Sequence, residues 1–150
     1  MSDLIKNQRR STLYDRDYYL WLRETVRQLQ AGDLSQLDLK NLIEEIDSLG
    51  KREKRAIESN LIIVILHLLK WYYQPQKRSS SWRSSIREHR RRVERLLTDS
   101  PSLKNYLLEI LEDCYLAAKK QVSDETGLSV DAFPPECPFT LTQTLDENFI

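Results

Sequence analysis

The chain has 150 residues, with 23 Lys and Arg against 23 Asp and Glu, so its formal net charge is zero. Two cysteines form no disulfide framework at this length, and a pI near 6.7 argues against a dedicated, strongly basic nucleic-acid binder. The length suits one domain with a sizeable core. With only three glycines and five prolines, the abundance of Leu, Ile, Glu, Lys, Arg and Gln predicts an all-helical chain.

Residues 1–12 are polar and read as an N-terminal arm without the apolar core of a signal peptide. The first helix is expected from about Arg16 to Gln30. Its inward residues Tyr18, Trp21, Leu22, Thr25, Val26 and Leu29 recur at i, i+3, i+4 and i+7. Asp15 or Asp17 suits its start, and Gly32 suits the position just past its end. The second helix begins after Asp38 as N-cap and runs to about Tyr73, a length of about 54 Å. Leu39, Leu42, Ile43, Ile46, Leu49, Ile57, Leu61, Val64, Ile65, Leu68 and Trp71 track its apolar face. That phase is the same on both sides of Gly50, so the helix is predicted to cross it with at most a bend. The apolar run Leu61–Tyr73 is interrupted by His67 and Lys70 and is too short to span a bilayer.

Pro75 ends that helix, and a serine among Ser79–Ser81 caps the next. The third helix runs to about Leu97, with Trp82, Ile86, His89, Val93 and Leu96/Leu97 inward. Ser100 as N-cap and Pro101 at the first turn open a fourth helix to about Asp124. Its inward residues are Leu103, Tyr106, Leu107, Ile110, Leu111, Cys114 and Leu116/Ala117, and Gly127 closes it. The segment 128–150 holds Pro134, Pro135 and Pro138 and is expected to wrap the helices, with one short turn near Thr140–Leu145. The whole reads as an antiparallel four-helix bundle over residues 13–150, with one very long helix and an extended C-terminal tail.

Charge is distributed unevenly along this neutral chain. Residues 61–98 carry nine Lys and Arg against two Asp and Glu, whereas residues 99–150 carry three against ten. If helices three and four lie side by side, Arg90 or Arg91 comes near Glu109, and Arg87 near Glu112 or Asp113. Part of the +7 is then neutralised by the −7. The basic patch left over would comprise Lys77, Arg78, Arg83, Arg92 and Arg95, and any binding to RNA or DNA would be weak and salt-dependent.

Four groups of residues are candidates for chemistry. Arg83 and His89 form an R-x5-H pattern on one helix, similar to that of helical-bundle ribonucleases. There His89 would perform acid–base work, and Arg83 and Arg87 would stabilise phosphorane charge; core packing of His89 on the Trp82–Ile86–Val93 stripe is the plainer alternative. His67 and Lys70 are either a proton-transfer or phosphate-contacting pair, or a hydrogen-bonded core histidine with an outward-reaching lysine. Glu44, Glu45 and Asp47 are close enough to hold Mg²⁺ or Mn²⁺, or else form an ordinary charged face with Lys40, Lys51 and Arg52. Trp71, Tyr72 and Tyr73 beside Lys77 and Arg78 form either a stacking platform for single-stranded nucleic acid or the amphipathic end of a helix. The spacing of His67, His89, Cys114 and Cys137 matches no zinc motif. No cofactor is expected.

Seven spaced segments resemble one family: Leu13 to Trp21, Glu44-Glu45-Ile46-Asp47 to Gly50, His67 to Lys70, Ser81 to Ile86, Ser100 to Leu103, Glu125 to Leu128, and Phe133 to Phe139. Together they resemble the bacterial domain-of-unknown-function family twenty-nine, abundant in cyanobacteria. The resemblance implies a helical bundle in a prokaryotic cytoplasm and implies no reaction.

The leading functional reading is a non-enzymatic interaction module binding a protein partner, or weakly a nucleic acid. Its binding surface would include Lys70, Lys77, Arg78, Trp82, Arg92 and Arg95. The alternative is a metal-independent ribonuclease or other phosphodiester-cleaving enzyme using Arg83, Arg87 and His89, with His67 and Glu45. A cytoplasmic monomer or small homo-oligomer, with no membrane contact, is expected.

Overall fold

The computed structural model describes residues 12–150; the expected N-terminal arm lies outside them, apart from Thr12. The described residues are all-helical, with no strand. The helices are α1 (Leu13–Arg16), α2 (Tyr18–Ala31), α3 (Leu39–Tyr73), α4 (Ser80–Asp99), α5 (Leu103–Thr126) and α6 (Leu141–Leu145). Short 3-10 turns lie at Leu34–Gln36, Pro75–Lys77 and Val130–Ala132. Contacts divide the chain into two compact units that part at Gly50. The 35-residue α3 runs through that point without a break.

Helix ends follow the local chemistry of the sequence. The Asp17 carboxylate accepts from the Leu20 N–H at 3.0 Å and starts α2, and the Asp38 carboxylate accepts from the Asn41 N–H at the start of α3. Ser79 caps α4 through the Trp82 N–H. Gly32 and Gly127 close α2 and α5 with φ of 71° and 75°, a region that costs glycine nothing. Thr140 and Gln143 form a reciprocal capping box on α6. The boundary between α4 and α5 departs from expectation. The Ser100 N–H bonds back to Leu96, so Ser100 closes α4. Pro101 cannot donate to a continuing helix, and α5 starts two residues later, after Ser102.

In the first unit, the α2–α3 hairpin buries Trp21 and Thr25. Tyr14 and Tyr18 both donate their hydroxyls to Glu45 on α3. Tyr14 packs edge-on to Trp21, with ring centroids 4.9 Å apart. The Glu45 bond pushes the Tyr14 phenol up to about 12. Of the other residues expected to be inward, Leu42 is half-buried, and Tyr18, Leu22, Val26 and Leu29 on α2 and Leu39, Ile43, Ile46 and Leu49 on α3 are exposed.

The second unit holds the continuous core. Ile57, Leu61, Val64, Ile65, Leu68 and Leu69 of α3 meet Ile86 and Val93 of α4 and Leu107, Cys114, Tyr115, Ala118 and Val122 of α5. The tail contributes Phe133, Phe139 and Leu141 to the same cluster. On α5 the buried face contains Tyr115 and Ala118, while Leu116 and Ala117 are exposed. The 3.6-residue period carries the stripe from Leu107 through Cys114 to Ala118 and Val122 and leaves 116 and 117 outside it.

Candidate functional site

Successive residues on a helix are about 100° apart, so α4 sorts its arginines onto separate faces. Arg83, Ile86, Arg87, Arg90, Arg91 and Glu94 recur at i, i+3, i+4, i+7, i+8 and i+11 and share one. They line a groove of about 560 Å³ whose opposite wall is the tail, at Leu145, Glu147, Asn148 and Ile150. That volume is typical of a ligand site. Ile86, Leu145 and Ile150 supply apolar surface, and the arginines supply charge.

Arg90 forms the floor. It is only 5% exposed. Its Nε donates to the Thr144 carbonyl at 2.7 Å, and its Nη2 donates to the carbonyls of Phe149 at 2.8 Å and Gln143 at 3.3 Å. Burial disfavours its charged form, and Asp146 and Glu147 act the other way. Arg90 therefore anchors the tail and is not paired with Glu109.

The expected pairing across α4 and α5 does not form at the other positions either. Arg91 and Arg92 both bind Glu88 on their own helix at 2.9 and 3.1 Å, which pulls that carboxyl down to about 2. Glu112 accepts from the Cys137 N–H. Side chains three or four apart on one helix meet more readily than those across two helices separated by a turn. Lys70–Glu125, from α3 to α5, is an ion pair between the basic and acidic segments. Lys77, Arg87 and Arg95 are exposed and have no acidic partner among the described residues.

Arg83 and His89 do not share a face, because six residues place them about 120° apart on α4. The Arg83 guanidinium lies 5.2 Å from the Trp71 ring centroid, and that of Arg78 lies 4.8 Å away. Arg78 also donates to the Trp71 carbonyl. The expected stacking platform is therefore occupied from within. Trp71 is buried beneath two guanidinium groups, Tyr72 packs on Phe139 and Phe149, and Tyr73 packs on Phe133.

His89 faces a second polar cluster with His67, Lys70, Trp82 and Glu125. Both imidazoles are half-buried, and each Nδ1 bonds a carbonyl of its own helix, Ile63 for His67 and Ser85 for His89. Lys70 lies over the Trp82 ring and pairs with Glu125. Burial lowers the His67 pKa below its ordinary 6.5, and the Lys70 and His89 charges add to that against the Ile63 bond. The unfolded chain thus binds this proton more readily. The His67 contribution is fully present above pH 6.5 and is lost as pH falls through the depressed value. Thermal melts should show stability falling from pH 7 to pH 5, and His67→Gln should flatten that fall. Glu125, lowered by its bond from Lys70, loses its contribution only below pH 4.5.

No group of three or more potential metal ligands exists among the described residues. Glu44 and Asp47 share one face of α3, whereas Glu45 lies about 100° round from Glu44 and is engaged by the two tyrosine hydroxyls. Cys114 is buried and its thiol is pushed up to about 12 by desolvation, which makes it a core residue. Cys137 is half-buried, and its thiol donates to the Phe139 carbonyl.

A family model described as Domain of unknown function DUF29 matches residues 13–150. The chain belongs to the DUF29 family. No curated protein and no solved structure matches it. In this DUF29 chain the segments that carry the resemblance hold the fold together: Glu45 receives Tyr14 and Tyr18, Lys70 pairs with Glu125, and Phe133 and Phe139 enter the core. Among the DUF29 described residues no helix is long and apolar enough to cross a membrane. The summed charge of residues 61–98 does not reveal that Arg90 anchors the tail. The three- and four-residue spacing of Arg83, Arg87, Arg90, Arg91 and Glu94 signalled the shared groove face and not the carbonyls that meet Arg90.

Proposed function

We propose that this chain is a non-enzymatic interaction module whose groove along α4 receives an amphipathic, acidic segment of another protein. The observation that carries this reading is the groove itself. Arg83 and Arg87 line it without a carboxylate partner among the described residues, beside the apolar side chains of Ile86, Leu145 and Ile150. A peptide whose acidic residues meet Arg83 and Arg87, away from Glu94 and Glu147, and whose apolar residues meet Ile86, Leu145 and Ile150 satisfies both linings at once. The aromatic stacking that single-stranded nucleic acid requires is absent from the groove lining. Two free cysteines suit a reducing cytoplasm.

The test is fluorescence anisotropy with a labelled amphipathic acidic peptide, its sequence-scrambled control and a short RNA, each at low and physiological salt. The amphipathic peptide should bind best. Arg83→Glu with Arg87→Glu should weaken it at least about tenfold, since partly desolvated charge pairs contribute on the order of 1 kcal/mol each and reversal adds repulsion. RNA binding tighter than the peptide would overturn the reading.

A second reading, a phosphodiester-cleaving enzyme, is favoured by one observation. His67 and His89 approach from facing helices beside Lys70, each with Nδ1 committed to its own helix and Nε2 left for proton transfer. Arg83 and Arg87 would take no part, because they lie on the groove face. Cleavage of RNA that disappears on His89→Ala would establish it.

A further inference from the structure

A guanidinium donates through three nitrogens, and Arg90 commits only Nε and Nη2. Nε donates to the Thr144 carbonyl, and Nη2 donates to those of Gln143 and Phe149. Nη1 makes no hydrogen bond. It is not sealed either, because among the described residues the sealed side-chain atom without a partner is Trp21 Nε1. The open space that Arg90 meets is the α4 groove, together with a second cavity of about 410 Å³ that continues it past Glu94 to Leu97. A side chain only 5% exposed thus turns unsatisfied, charged N–H groups to the groove. Donors of this kind in a partly desolvated site favour an acceptor, above all a charged one.

We propose that Arg90 Nη1 seats one carboxylate, an aspartate or glutamate side chain of the segment that docks in this groove. The inference rests on the docking function proposed above and narrows it: a single acidic side chain reaches the floor, and the segment's other acidic residues stay at the rim. Charge places that carboxylate toward Arg87. Arg87 is exposed, has no acidic partner among the described residues, and lies about 4.5 Å along the axis from Arg90. Arg83 stands a turn further on, over Trp71. On the other side of Arg90 are Glu94 and, from the tail, Asp146 and Glu147. Arg91 also lines the groove but is held by Glu88. The floor therefore runs from cationic to anionic, and an acceptor is drawn to the Arg87 end. A phosphate group carries close to two charges, and Glu94 and Glu147 oppose the second. Ile86, Leu145 and Ile150 flank the floor with apolar surface, which suits an acidic residue set between apolar ones. Because the seat uses Nη1, the tail keeps its bonds to Nε and Nη2.

The probe is the labelled amphipathic acidic peptide, with its acidic residues replaced one at a time by the matching amides. Arg90 itself stays in place, because its removal unseats the tail. Anisotropy with the full chain at physiological salt should show one replacement that weakens binding at least about tenfold and others that change it less than about threefold, since a bonded, partly desolvated charge contributes more than an exposed one. Arg87→Gln should shrink the difference between the parent peptide and the sensitive amide version, as coupled neighbours do. Nitrogen NMR supplies the assignment: the Arg90 Nη1 resonance should move when the parent peptide binds and stay in place with the sensitive amide version. A parent peptide that does not bind overturns the docking function and the seat together. Binding with a flat amide scan, or with an unmoved Arg90 resonance, overturns the seat and leaves the docking function standing. Phosphoserine at the sensitive position binding more tightly than the carboxylate would also overturn it, in favour of a phosphorylated partner.

Discussion

Arg90→Ala should unseat the C-terminal segment. Two of its bonds to tail carbonyls are 2.7 and 2.8 Å long, and a charged donor contributes about 1.5–3 kcal/mol per bond. The expected cost is about 3–5 kcal/mol. For a chain of this size that is about a 10 °C fall in Tm. Arg90→Lys keeps the charge but has no planar fork to reach Thr144 and Phe149 together, so it should recover only part of the loss. Limited proteolysis supplies the local readout, with cleavage within residues 141–150 appearing first. An unchanged Tm with an uncleaved tail would contradict the assignment of Arg90 as the anchor.

Tyr115→Ala should be comparably severe. The ring is fully buried on α5, and its hydroxyl donates to the Pro134 carbonyl, so it joins core and tail at once. Loss of a buried aromatic costs about 3–5 kcal/mol. Tyr115→Phe should cost only about 1 kcal/mol, since Lys119 Nζ is also within 3.5 Å of that carbonyl. Burial pushes the Tyr115 phenol up to about 12 from the ordinary 10. A raised folded value means that its contribution is complete below pH 10 and is lost as pH rises toward 12. Alkaline melts should therefore steepen above pH 10 in the wild-type chain and less so in Tyr115→Phe. Equal alkaline sensitivity in both would place the titrating group elsewhere.

Much of the helical framework was legible in the residues because its causes are local. Asp17, Asp38, Ser79, Gly32, Gly127 and Thr140 act on backbone groups within a few positions of themselves. The unbroken phase of Ile46, Leu49 and Ile57 around Gly50 reported a continuous α3. Pro101 was ambiguous, since the same ring can open a helix or end one. Periodicity told which residues share a face and was silent on what covers it, hence the exposed Ile43 and Ile46. The arginines of residues 61–98 were misjudged for a related reason. Arg90 is buried by carbonyls more than 50 positions away, and no spacing rule within α4 encodes them. Arg91 and Arg92 had a nearer acceptor in Glu88 than any on α5. The separation of Arg83 from His89 was visible in principle, because six positions on a helix never align.

One wall of the α4 groove is a chain segment held in place by the arginine at its floor. The cavity and the docked tail are therefore one equilibrium. A molecule that needs both walls stabilises the docked state by mass action, and slower amide exchange at Thr144 and Phe149 would report its arrival. A molecule that competes instead for the Arg90 guanidinium frees the tail and removes the wall. Opposite hydrogen-exchange responses would then distinguish two classes of occupant for the same groove.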